Sequence, residues 1–115
     1  MNILNYYNLV IFIITLSISF ITSAAQSPIE TEYNSKLQEY NQAIISHNYD
    51  DACLTADKLL AMDPSDTFSL LRLTYCSEKL NGKYKKIIAS YLNQVARSSK
   101  QEIETIELIK AINSH

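Results

Sequence analysis

A chain of 115 residues has room for one domain, and 47% hydrophobic to 19% charged residues is the balance of a globular protein. A net charge of −2 gives no field that would draw it to nucleic acid or to anionic lipid. Gly occurs once and Pro twice, too few for the closely spaced turns of a sandwich or barrel, so composition points to an all-α fold of long helices and short connections.

Residues 1–25 read as a signal peptide. The apolar run Leu9–Ile21 is shorter than the about 20 residues a membrane-spanning helix needs, and it is followed by the small residues Ser23, Ala24 and Ala25, which place cleavage before Gln26. Met1–Asn8 holds no Lys or Arg, so only the α-amine supplies positive charge there. An uncleaved N-terminal anchor is the alternative, with the apolar stretch extended back to Tyr6. No Cys lies near the cleavage region, which argues against a lipid anchor. The mature chain, Gln26–His115, is then expected in the periplasm or outside the cell, with no membrane span of its own.

In the mature chain, residues 26–31 form a polar lead with Pro28, expected to be flexible. From Glu32 to Ser46, Tyr33, Leu37, Tyr40 and Ile44 recur at helical spacing. His47-Asn48 breaks that helix, and Asn48 with Asp51 resembles a capping box that opens the next. Ala52, Ala56, Leu59 and Leu60 give the second helix its apolar face, and Asp63-Pro64-Ser65 ends it. Ser65 is the expected cap of a third helix carrying Phe68, Leu70, Leu71, Leu73 and Tyr75, which Asn81-Gly82 stops. A fourth carries Ile87, Ile88, Tyr91, Leu92 and Val95 up to Ser98-Ser99. Ser99 and Glu102 then make a capping box for a fifth, built on Ile103, Ile106, Ile109 and Ile112.

Two of these segments are similar to each other. Tyr49–Ala56 and Tyr84–Tyr91 each begin with Tyr after a break, then two charges, then an apolar residue, at an offset of 35 residues. That is the scale of a helix-turn-helix repeat. His47–Ala52, running on to Leu60-Ala61-Met62-Asp63-Pro64, resembles the second helix and closing turn of the tetratricopeptide repeat, with Ala52 at the small position where paired helices touch. Leu70-x-x-Leu73-Thr74 resembles that family's first-helix signature, with Leu for Trp and Thr for Gly, and Tyr91 stands at the expected aromatic. Lys36, Glu39, Tyr40 and Ala43 depart from the preferred Trp, Leu, Gly and Tyr, and the second unit lacks the closing proline. The resemblance covers Tyr33 to about Lys100; an unrelated helical bundle is the alternative.

The resemblance implies two helical hairpins over residues 32–115, with the fifth helix as a cap over the fourth and Glu102, Glu104 and Glu107 on its outer surface. It also implies a concave groove for a protein or peptide partner, lined by Asn34, Leu37 and Asn41 from the first helix and Phe68, Leu71, Arg72 and Tyr75 from the third; that Phe68 and Leu71 are simply core is the alternative. Tyr33, Tyr40, Tyr49 and Tyr91 fall at packing positions; Tyr75 does not. Two hairpins are fewer than the about three a stable stack needs, so self-association or dependence on a partner is expected.

Little in the chain suggests catalysis. His47 is the only internal histidine, Asp50 and Asp51 point apart on a helix, and no phosphate-cradling or nucleophile motif occurs. No cofactor or metal is expected, since Cys53 and Cys76 are too far apart in sequence for a finger pattern. In an oxidising compartment those two are candidates for a disulfide; the alternative is a pair of buried thiols. Lys79, Lys83, Lys85 and Lys86 cluster in sequence, either as a solvated face or as a contact for an acidic partner. The expected function is a scaffold, adaptor or assembly factor. An immunity-type inhibitor of a toxic cell-wall enzyme is the nearest alternative and a small envelope hydrolase a distant one.

Overall fold

The computed structural model describes residues 27–115, so the expected signal peptide over residues 1–25 and its expected cleavage point lie outside the described residues. The chain divides into two units, residues 1–31 and Glu32–His115. Among the described residues there are five helices and no strand: α1 Pro28–Ile45, α2 Tyr49–Met62, α3 Thr67–Lys79, α4 Lys85–Tyr91 and α5 Lys100–Asn113. The protein is all-α, and no helix among the described residues is long and apolar enough to cross a membrane.

α1 begins at Pro28 rather than Glu32, so Pro28–Thr31 of the expected flexible lead are helical. Proline suits a first helical position because its missing N–H would go unpaired there anyway. Ser27 Oγ accepts the Glu30 N–H at 3.3 Å, which serves the start of the helix further. The helix ends with His47 in the left-handed region at φ 57°, and Asn48 N–H reaches back to Ala43 O at 2.8 Å.

Asn48 caps α2, its side chain accepting the Asp51 N–H at 3.4 Å and donating to Asp51 Oδ2 at 2.6 Å. The next cap differs from expectation. Ser65 Oγ donates to Asp63 Oδ1 at 2.6 Å and is thereby committed to the turn around Pro64. Asp66 caps α3 instead: its Oδ1 accepts the N–H groups of Phe68 and Ser69, each at 3.2 Å.

α3 is the centre of the unit Glu32–His115, and its most extensive contacts are with α2 and α5. Leu70, Leu73, Thr74 and Cys76 on it are buried. Cys53, early in α2, is bonded to Cys76, late in α3, with Cα atoms 5.6 Å apart, so the two helices run antiparallel. Leu80 ends α3, after which Asn81 and Gly82 take φ 57° and 75° and Gly82 N–H returns to Ser77 O at 2.8 Å.

α4 ends at Tyr91, short of the expected Val95. The cause is long-range: Ala96 N–H pairs with Ser65 O at 2.9 Å and Thr67 Oγ1 donates to Ala96 O at 3.1 Å, which pulls the chain off the helical path beside the start of α3. Val95 stays buried in the turn.

α5 starts at the Ser99 cap, whose Oγ accepts the Glu102 N–H at 3.1 Å. It was expected to cover α4; it packs mainly on α3, with a smaller contact to α4. Its isoleucines step by three residues, which falls about 60° short of a full turn each time, so they drift around the helix. Ile106 and Ile109 are buried while Ile103 is 49% exposed. Asn113 Nδ2 donates to Lys85 O at 3.1 Å, and Lys85 Nζ donates to His115 O, which joins the end of α5 to the start of α4.

Candidate functional site

Two tyrosines on α1 set its position on α3. Tyr33 OH donates to Asp66 Oδ2 at 2.5 Å, and Tyr40 OH donates to Arg72 O at 3.0 Å. The partners follow in the same order along both helices, so α1 and α3 lie side by side and parallel. Tyr40 is buried, so its hydroxyl needs the carbonyl it finds.

Asp66 collects more than the cap. Ser69 Oγ donates to its Oδ2 at 2.6 Å, alongside the Tyr33 hydroxyl. Burial pushes the Asp66 carboxyl up, but the Ser69 and Tyr33 hydrogen bonds and the nearby Arg72 charge outweigh it and hold the group below its ordinary value. Tyr33 moves the other way, raised first by burial and then by its bond to the Asp66 carboxylate. Burial pushes Tyr40 up to about 12, with Arg72 opposing and Tyr75 adding. Asp66 is therefore ionised at neutral pH and saturated with donors. Ser69 is 0% exposed and gives its proton to Asp66, so the pair is a helix cap and does not form a nucleophile and base.

Phe68, Leu71, Arg72 and Tyr75 share one side of α3, on which Leu71 packs against the edge of the core while Phe68 and Tyr75 reach the surface. Phe68 is 40% and Tyr75 44% exposed, with Leu71 and Arg72 half-buried between them. Arg72 Nη1 donates to Ser69 Oγ at 3.2 Å. Beyond the stripe, Lys79 Nζ lies 5.5 Å from the centre of the Tyr75 ring. On α1, Leu37 is half-buried on the tyrosine side, and Asn34 and Asn41 are exposed. The four α3 residues thus share one side of that helix, while of the three α1 residues expected beside them only Leu37 is half-buried.

The Asp66 network was not legible as such. The spacing of Asp66 and Ser69 is that of a cap and its N3 residue, but Ser65 offered the same chemistry one position earlier. The basic cluster does not act as one patch. Lys83 pairs with Asp50 at 3.0 Å, Lys85 turns to the C-terminus and Lys79 lies over Tyr75. His47 Nδ1 sits 3.1 Å from Tyr49 OH at the helix junction.

A concavity of about 490 Å³ opens between α1 and α2 and is lined by Glu39, Ala43, Asp51, Leu54 and Lys58 among others, none of them a residue of the expected groove. It is a broad, open cleft. Of the acids that line it, Glu39 is paired with Lys36 at 3.2 Å and Asp51 accepts from Asn48 at 2.6 Å. Among the described residues no cluster of His, Cys, Asp and Glu could hold a metal ion. No family model, curated protein or solved structure matches the chain.

Proposed function

We propose that the chain is an exported protein-binding module of the helical-repeat type, which holds a partner segment along the α1–α3 face. The observation that carries this reading is the α3 stripe. On the most buried helix of the unit, Phe68 and Tyr75 stay 40% and 44% exposed, with Arg72 between them. Aromatic side chains and Arg are the types that anchor interfaces, and an exposed apolar row rimmed by polar residues marks a contact surface.

The helix directions support the tetratricopeptide-like arrangement. α1 and α3 run parallel, with α2 antiparallel and stapled to α3. Burial raises Tyr91 at the end of α4 and the Asp57 carboxylate of α2 adds to it, and Lys83, in the turn before α4, meets Asp50. A disulfide joining Cys53 and Cys76 suits an oxidising compartment and so supports export.

The test is affinity purification of the full chain from its native envelope. A protein that co-purifies with the wild type and is lost with Arg72→Ala and Tyr75→Ala, at unchanged melting temperature, supports the reading. A partner retained by both variants contradicts it.

A further inference from the structure

Asn81 is the one asparagine followed by glycine, since Gly82 is the only glycine in the chain. The pair closes α3 in a tight turn, with both residues in the left-handed region at φ 57° and 75°. Glycine takes that backbone without steric cost, and asparagine is among the few other residues that tolerate it. The same pair is chemically labile. Glycine has no side chain to shield its own nitrogen, which can attack the asparagine amide one residue back.

The turn presents one half of this reaction and withholds the other. Asn81 is exposed, and among the described residues its side-chain amide has no hydrogen-bond partner. The nucleophile, by contrast, is committed. Gly82 N–H donates to Ser77 O at 2.8 Å, and Asn81 N–H donates to Glu78 O at 3.2 Å. Ser77 is buried, and its Oγ accepts the Tyr84 N–H at 2.9 Å, so one residue of α3 holds the turn at two points. The other described asparagines are poorer candidates. Asn34, Asn41 and Asn113 lie within helices, and Asn48 is fixed as the cap of α2. Asn93 precedes Gln94, whose side chain crowds the nitrogen and whose N–H donates to Tyr91 O at 2.8 Å.

We infer that Asn81 is a site of spontaneous deamidation and that the cap of α3 is its gate. When the turn opens, the Gly82 nitrogen gives its proton to solvent and attacks Asn81 Cγ. A new C–N bond closes a five-membered succinimide, while the amide nitrogen takes up a proton and leaves as ammonia. Water then adds to one of the two ring carbonyls and breaks that carbon's bond to the ring nitrogen. Opening at Cγ leaves aspartate. Opening at the main-chain carbonyl leaves isoaspartate, whose backbone runs through the side chain and is one methylene longer. One water is consumed and one ammonia released, with nothing oxidised or reduced. Either product puts a negative charge between Lys79 and Lys83. The longer isoaspartate chain no longer brings Gly82 N–H onto Ser77 O in register, so a chain that has opened is marked permanently.

The experiment incubates the full chain at mildly alkaline pH, beside the same chain unfolded in guanidinium and a synthetic peptide of residues 77–86. Peptide mapping by mass spectrometry follows conversion at each Asn, and hydrogen exchange by NMR follows the Gly82 N–H. In the unfolded chain, Asn81 is expected to convert ahead of every other Asn and at the rate of the peptide. In the folded chain its conversion should be slower by about tenfold or more, because attack waits on local opening. Ser77→Ala, which removes the acceptor of the Tyr84 N–H, should speed conversion and Gly82 exchange by the same factor. If that variant does not fold, wild type at sub-denaturing guanidinium supplies the same comparison. A folded chain that converts as fast as the peptide, or faster Gly82 exchange with no faster conversion, overturns the gate. An unfolded chain that converts first at another Asn overturns the site.

Discussion

Asp66 serves four donors with one carboxylate, and this makes it the most consequential polar side chain in the fold. Asp66→Ala removes a cap and leaves the Tyr33 and Ser69 hydroxyls without their acceptor. The expected cost is about 2–3 kcal/mol in denaturant unfolding. Asp66→Asn keeps a cap acceptor but loses the charge. Because the folded carboxyl is held below its unfolded value, its stabilisation is present above the unfolded value and is lost as pH falls through the folded one. The melting temperatures of wild type and Asp66→Asn should thus differ at pH 6 and converge below about pH 4.

Tyr40 gives the mirror case. Its folded value, about 12, lies above the ordinary 10, so its stabilisation is present below the ordinary value and is lost as pH rises through the folded one. Wild type should lose stability between pH 10 and 12. Tyr40→Phe, which cannot ionise, should lose less over that window while starting about 1 kcal/mol less stable at pH 7 for want of the bond to Arg72 O. These residue-level roles were only partly legible in the sequence. The apolar spacing places Tyr33 and Tyr40 on one face, yet their hydroxyl partners lie on another helix, and no local pattern encodes that.

Among elements, the link between α2 and α3 carries the clearest prediction. Cys53 and Cys76 close a loop of 23 residues' separation, and both are fully buried. In the chain-entropy account a loop of that length is worth about 3 kcal/mol. The double variant Cys53→Ala, Cys76→Ala should therefore unfold at markedly lower denaturant, and reducing agent should lower wild-type stability while leaving the variant unmoved. An equal response in both would contradict it. The helices themselves were readable because apolar residues recur at three- and four-residue steps and because Asn48 and Ser99 stand at real caps. The end of α4 was not, since it is set by Ala96 pairing with Ser65 across the fold. The seat of α5 was missed for a related reason. Its isoleucine row offers more than one apolar side, and only the surface presented by α3 selects Ile106 and Ile109.

At the scale of the whole unit Glu32–His115, α3 is both the centre of the core and the owner of the candidate face. One side of it holds Leu70, Leu73 and Cys76 in the interior; the other presents Phe68, Arg72 and Tyr75, with Leu71 at the boundary packed on the core. A partner bound there would lie directly on the best-anchored helix, fixed by α1 through tyrosines and by α2 through a covalent bond. Rigid support of that kind lowers the ordering cost of binding. The open cleft near Leu54, 52% exposed, is the competing surface. Site-specific photo-crosslinking in the native cell separates the two most directly, with the reactive group placed at Tyr75 in one full-length chain and at Leu54 in another. A discrete protein adduct from position 75, absent from position 54, is predicted. An adduct from position 54 with none from 75 would contradict the account.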